Sequence, residues 1–267
     1  MPPPTAHRQL RTTQRPLVQA FVRRLLRAVL SGRRCRPVDG EICLDPHVHT
    51  EYSYDCSAPL RELLLAAAGR GLHGLAVADH DTCEGAVRAQ EVAEGLKDDG
   101  LLPGHFLVIP AQEVSSRHGH IVGLFTAEAI PRRMSAAETV AAIHDQDGLA
   151  VAAHPFAGRN VGRSLGPAAW EIPFDAIEEY CLSVWPHRIR PAVIAAHDLA
   201  TADMANLASS DSHNLYEVGA FYTAVRAHAP TLEAVRDALV RGHTRPCPLR
   251  AARLFAGPHP TPTPQRA

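Results

Sequence analysis

No two of the six cysteines (Cys35, Cys43, Cys56, Cys83, Cys181, Cys247) form a C-x-x-C pair. That spacing excludes a cysteine zinc module and offers no disulfide framework, so a reducing compartment is the default expectation. Long apolar runs are missing as well: none approaches the roughly 20 residues needed to cross a bilayer. The most apolar N-terminal stretch, Phe21 to Leu30, is broken by Arg23, Arg24 and Arg27 and is no secretory core either. Lysine is nearly absent, with Lys97 alone among 27 basic residues, which reads as the codon bias of a GC-rich genome. Acid is absent from residues 1–38, which hold nine arginines. The chain balances to −1 overall, so the remainder is acidic by about ten charges, and a uniformly basic nucleic-acid binder is excluded.

What is present is apolar material and histidine. Of the 267 residues 46% are hydrophobic, enough for a sizeable core, and 16 are histidines. Residues 1–40 read as a basic extension with one amphipathic helix over Pro16–Leu30. Residues 41–255 read as the main body, and 256–267 as a disordered proline-rich tail. Packing on the body, an anionic partner or surface, and a mitochondrial address are three readings of the extension. The cytoplasm is the expected compartment.

Within the body, short apolar runs alternate with amphipathic segments. Strands are expected at Ile42–Leu44, Gly74–Ala78, Phe106–Ile109, Ile121–Phe125, Leu149–Ala152, Ala176–Tyr180, Ala205–Ala208 and Gly219–Ala224. Helices fit Pro59–Gly69, Ala86–Leu96, Ala136–Gln146, Ile189–Leu199 and Leu232–Val240. Alternation of this kind implies an α/β protein with a largely parallel sheet and crossover helices, closed into a barrel or left open.

Histidines and carboxylates recur where these strands end. Asp45-Pro46-His47-Val48-His49 closes the first, and an H-x-H pair on extended chain puts both rings on one face. Asp79-His80-Asp81 follows the second strand and Glu113 the third. His118-Gly119-His120 opens the fourth, His154 follows the fifth, and Asp211-Ser212-His213 the seventh. Strand ends of an α/β sheet share a rim where active sites are built. Imidazole and carboxylate together suit transition metals. Asp79 and Asp81 are read as turn caps, and Asp45 as either structural or orienting a histidine.

These segments, taken in order, resemble the PHP (polymerase and histidinol phosphatase) domain family of metal-dependent phosphoesterases, in its short stand-alone form. The resemblance rests on His47-Val-His49-Thr-Glu-Tyr-Ser-Tyr-Asp55, Asp79-His80-Asp81, Glu113, Gly119-His120-Ile121-Val122-Gly123, His154-Pro155-Phe156 and Ser210-Asp211-Ser212-His213. It implies a distorted seven-stranded (β/α)7 barrel holding two or three divalent transition metals (manganese, zinc or iron). His47, His49, Glu113 and Asp211 would bind one metal, with Glu113 bridging to a second held by His120 and His154. Asp55, His80 and His213 would form a third position.

The implied reaction is hydrolysis of a phosphate ester by a metal-bridging hydroxide, with Asp211 and His213 handling protons. Arg159, Arg117 and Arg188 are the candidates for holding phosphate. A small phosphomonoester or short nucleotide is the preferred substrate, and a stable nucleic-acid complex is not expected. Hydrolysis of carboxylic esters, amides or carbamates, 5'-3' exonuclease activity and a non-catalytic metal-binding module are the alternatives. No oligomeric state is implied.

Overall fold

The computed structural model describes residues 34–157, 164–166, 169, 171–182 and 204–248. The expected helices over Pro16–Leu30 and Ile189–Leu199, and the proline-rich tail, lie outside the described residues.

Nine strands form one sheet among the described residues. They are β1 Glu41–Val48, β2 Gly74–Val77, β3 Leu107–Ser115, β4 His120–Leu124, β5 Leu149–Ala152, β6 Ala176–Cys181, β7 Ala205–Ser209, β8 Tyr222–Arg226 and β9 Thr244–Cys247. Their order is β7-β6-β5-β4-β3-β2-β1-β8-β9. Four helices accompany them: α1 Leu60–Gly69, α2 Glu84–Asp98, α3 Ala136–His144 and α4 Leu232–Val240.

The sheet curls until it nearly closes. Past the end of β7, Asp211 N–H donates to His47 O and His49 N–H donates to Ser212 O, each at 2.9 Å. Val48 and Ser212 form a parallel bridge there. Ala208 N–H also reaches the Thr223 hydroxyl of β8 at 2.9 Å. The architecture is therefore α/β and barrel-like, as expected, but with nine strands where the resemblance implied seven. The sheet is also mixed: β3–β4, β4–β5, β1–β8 and β8–β9 pair antiparallel. For β3–β4 the reason lies in the short link from Ser115 to His120, a turn rather than a helical crossover, and only a crossover can keep neighbouring strands parallel.

Strands buried on both faces explain the apolar runs. β2 (GLAV) and β5 (LAVA) are buried at every position, as expected of strands covered on two sides. Alternate residues face alternate layers. Ile42, Leu44, Ala76, Ala78, Ile109, Ala111, Val122, Leu124, Val151 and Leu207 fill the interior, together with Val235, Ala238 and Leu239 of α4. Cys43, Leu75 and Val77 face outward, under α1 and α2. Helix α1 buries Leu60, Leu63, Leu64 and Ala67, the i, i+3, i+4, i+7 stripe of an amphipathic helix. Helix α3 starts at a capping box in which Ser135 and Glu138 each satisfy the other's backbone N–H.

Ahead of β1 the chain is already attached to this body. Cys35 is buried, its N–H donates to Arg70 O at 2.9 Å, and Arg36 N–H donates to the Tyr222 hydroxyl at 3.1 Å. The expected boundary at residue 40 thus falls inside a segment packed on the barrel.

Candidate metal centre

One rim of the barrel collects nine of the chemistry-bearing side chains. His47 and His49 come from the end of β1, and both are fully buried. His80 follows β2 and pairs with Glu113 of β3 through an isolated parallel bridge. His120 opens β4. Because β4 runs antiparallel to β3, with Ser115 opposite His120, the start of that strand lies at the rim where β3 ends. His154 follows β5, and Asp211 and His213 follow β7.

Glu113 is the hub. Its Oε2 lies 3.3 Å from Nε2 of both His47 and His49 and 3.0 Å from His80 Nδ1. Its Oε1 lies 2.9 Å from His120 Nδ1 and 3.1 Å from His154 Nε2. Asp211 Oδ1 stands 3.0 Å from His49 Nε2 and 3.5 Å from His47 Nε2. On the outer side, Asp55 Oδ2 is 3.3 Å from Nε2 of both His80 and His213.

Three sets of ligand atoms within 4.8 Å of one another result: His47, His49, Glu113 and Asp211; His80, Glu113 and His120; and His49, Asp55, His80 and His213. His154 joins through Glu113. All nine side chains expected to bind metal are therefore brought together, with His80 facing both Glu113 and Asp55.

The donor set fits divalent cations. Among the described residues, His80 Nδ1, Glu113 Oε2, His120 Nδ1 and His154 Nδ1 are buried polar atoms without a hydrogen-bond partner. His80 Nδ1, Glu113 Oε2 and His120 Nδ1 stand about 3 Å from an opposing ligand atom without being aligned to bond it. Buried polar groups are ordinarily satisfied, so atoms this close and unbonded suit a cation between them.

The electrostatics agree. Burial alone would raise the Glu113 and Asp211 carboxyls, yet the surrounding imidazoles, His47 foremost, hold both well below the carboxylate range. Burial alone would lower His47, but Glu113, Glu178 and Asp211 lift it well above its ordinary value. His49 is lifted in the same way, against burial, to about 9 by Asp211 and Glu113. The pocket thus attracts positive charge.

The backbone bends sharply to build it. His154 and Asp211 adopt positive φ (29° and 47°), the left-handed region that costs a non-glycine residue about 1 kcal/mol or more. The bond from Asp211 N–H to His47 O holds one of these turns.

The neighbouring acids are structural. Asp45 accepts from Ser210 N–H (3.0 Å), the Ser210 hydroxyl (2.5 Å) and Gly219 N–H (2.7 Å). Among the described residues it pairs with no histidine ring, and burial raises its carboxyl to about 6. Asp79 accepts from Thr50 N–H and the Thr50 hydroxyl, both at 2.7 Å, and Asp81 accepts from Ser115 N–H at 2.7 Å. His118 accepts from Ala136 N–H at 3.1 Å, at the start of α3.

Arg117 is exposed, and its Nε donates to Arg133 O at 2.7 Å, beside the start of α3 and not in the cluster. Arg159 and Arg188 lie outside the described residues.

Three participants escaped the sequence reading. Ser53 binds His49 Nδ1 (3.3 Å), donates to Asp55 Oδ1 (3.0 Å) and accepts from His80 N–H (3.2 Å), tying three ligands together. Tyr54 stacks on His80, with ring centroids 4.9 Å apart and planes 19° apart, while remaining 76% exposed. Glu178, buried on β6, meets the His47 ring and accepts from the His154 backbone N–H. A signal for Glu178 exists: two acids in a strand otherwise apolar, AIEEYC, with every position buried.

A family model of the PHP domain matches residues 45–148, and a PHP-associated model matches 199–244. An uncharacterized protein of Methanocaldococcus jannaschii is 30% identical over 146 residues, which span 51% of this chain and 80% of that protein. Among solved structures, a two-domain protein from Bacteroides vulgatus containing a predicted PHP-like metal-dependent phosphoesterase aligns with a TM-score of 0.59 at 18% identity, over 81% of this chain and 69% of that one. The lesion-specific endonuclease PfuEndoQ from Pyrococcus furiosus aligns with a TM-score of 0.52 at 17% identity, over 77% of this chain and 57% of that one. At these identities the structural likenesses concern the fold. No helix among the described residues is long and apolar enough to cross a membrane.

Proposed function

The chain belongs to the PHP family, and from that premise we propose that it is a metal-dependent phosphoesterase. The observation that carries the reading is the convergence of six imidazoles and three carboxylates on one rim, with their ligand atoms close together and several left unbonded.

In this reading His47, His49, Glu113 and Asp211 hold one cation, and Glu113 shares a second with His120 and His154. Asp55, His80 and His213 hold a third. Manganese, zinc and iron are the candidates, because imidazole-rich sets favour transition metals over magnesium. When bound, such cations supply Lewis acidity toward a phosphoryl group and lower the pKa of water.

The protein's own side chains supply the rest. Asp211 Oδ2, the oxygen not engaged by His49, accepts a proton from the attacking water. His213, with 30% of its side chain exposed and its Nδ1 turned to Asp211 O, returns one to the leaving oxygen through Nε2 when the third position holds no cation. Arg159, on the segment after His154-Pro155-Phe156, is the arginine assigned to the equatorial oxygens. Tyr54 offers an exposed aromatic face at the mouth, suited to a planar leaving group. That feature supports a small aryl phosphomonoester or a short nucleotide.

The test is turnover of p-nitrophenyl phosphate with added manganese. Activity is expected in the wild type and should vanish on chelation or in His47→Ala. Undiminished activity in His47→Ala would contradict the assignment. Running bis-p-nitrophenyl phosphate and p-nitrophenyl acetate in parallel separates monoester, diester and carboxylic-ester hydrolysis.

A further inference from the structure

We propose that Glu178 is a positioning residue that sets the tautomer of His47 and clamps the turn carrying His154; the inference rests on the metal-site reading above. Glu178 lies on β6, away from every motif in the chain, and is 3% exposed. Its Oε1 lies 2.8 Å from His47 Nδ1 and accepts from the Ser209 hydroxyl at 2.6 Å. Its Oε2 accepts from the backbone N–H of His154 at 2.7 Å. One side chain therefore joins β1, β5, β6 and β7 below the rim.

With the Ser209 hydroxyl and the His154 N–H donating to its two oxygens, Glu178 faces His47 Nδ1 as an acceptor. Because Nδ1 of His47 faces an acceptor, it carries the proton, and the lone pair is left on Nε2. Nε2 is the atom that faces the cluster, 3.1 Å from His49 Nε2 and 3.3 Å from Glu113 Oε2. An imidazole can bind a metal only through an unprotonated nitrogen, so the bond on the far side of the ring decides whether the near side can serve. The second oxygen meets the other demand. His154 sits at a φ of 29°, and a charge-assisted bond to its N–H holds that uncommon turn in place.

Glutamine cannot replace this residue, although its shape is the same. With its oxygen toward His47 and Ser209, its NH2 group would face the His154 N–H. In the opposite orientation the NH2 group would face His47 Nδ1, and the ring would have to move its proton to Nε2. Either way a buried donor meets a donor, or the ligand atom is lost.

The test compares Glu178→Gln with the wild type by manganese titration of the metal-free protein, with circular dichroism as the check on folding. A loss of roughly 10- to 100-fold in manganese affinity is expected, the range for groups that orient a metal-bound imidazole. A folded Glu178→Gln that binds manganese like the wild type would overturn the proposal.

A second measurement needs no variant. In the zinc-loaded, 15N-histidine-labelled wild type, His47 should show a protonated Nδ1 in slow exchange, and a bare Nδ1 would overturn the proposal equally. The two levels of the account separate cleanly. Wild-type affinity in Glu178→Gln together with lost binding in His47→Ala removes the positioning role and leaves the metal site. A wild type that takes up no manganese removes both.

Discussion

Asp45 and Asp79 stand within two residues of His47 and His80, and they are as deeply buried as Glu113 and Asp211, yet the two pairs of acids keep different company. Asp45 and Asp79 are met by backbone N–H groups and hydroxyls, donors whose protons are fixed. Glu113 and Asp211 are met by ring nitrogens. A carboxylate ringed by donors is complete as it stands. One ringed by imidazoles, which carry lone pairs of their own, is complete only with a positive charge among them, whether proton or metal. Burial alone does not separate a structural acid from a ligand; the chemistry of the partner atoms does.

The sharpest way to break this distinction is to remove one charge from each pair. Glu113→Gln should lower manganese affinity by about a hundredfold or more, since it removes a ligand rather than a supporting group. Asp45→Asn should leave that affinity near the wild-type value. Its NH2 group must face one of the donors from Ser210 or Gly219, which costs about 2–3 kcal/mol of stability, while each folded molecule still binds manganese. The reverse order of effects would show that the two classes of acid had been confused.

Metal itself should stabilise one region through the other. Manganese at about a thousand times its dissociation constant adds roughly 4 kcal/mol to the unfolding free energy. Thermal melts should show that gain in Asp45→Asn and lose most of it in His47→Ala.

A smaller effect is expected at Gly85. A Cβ at this position would stand 2.0 Å from Asp79 Oδ2 and 3.0 Å from the Thr50 hydroxyl. Gly85→Ala must therefore push Asp79 off Thr50, at a cost of about 1–3 kcal/mol. Urea denaturation measures that cost, and an unchanged midpoint would show that Asp79 is dispensable as an anchor.

The smallest effect lies at the far end of the sheet, where Arg245 of β9 reaches across β8 to Glu41 of β1. The bond from Arg245 holds the Glu41 carboxyl below its ordinary value, against some burial. A depressed carboxyl stabilises the fold above its unfolded value of about 4.3 and loses that contribution as pH falls through the lower folded value. The arginine side chain is 42% exposed, so Arg245→Ala should cost at most about 1 kcal/mol near neutral pH. Denaturation midpoints of the variant and the wild type should converge below about pH 4.

Much of the site was legible because its residues stand where strands stop. The H-x-H pair, Asp79-His80-Asp81, Glu113, His154 and Asp211-Ser212-His213 each end an apolar run, and the fold has only to gather those ends at one rim. The direction of β4 was harder to read, since His118-Gly119-His120 looks alike before a parallel or an antiparallel strand. β9 was missed because Thr244-Arg245-Pro246-Cys247 has neither alternation nor apolar bulk. Its proline is tolerable there because an edge strand has a side without ladder bonds. Glu178 and Ser53 were missed for a different reason: their roles lie in hydrogen bonds between segments far apart in the chain, which no local pattern encodes.

The central claim is that this rim is a multi-cation site, and the direct measurement is the number of divalent ions that the purified chain retains after exhaustive dialysis against metal-free buffer, following manganese loading. Two or more per chain in the wild type, with fewer in Glu113→Gln, is the predicted result. Fewer than two per chain would contradict it.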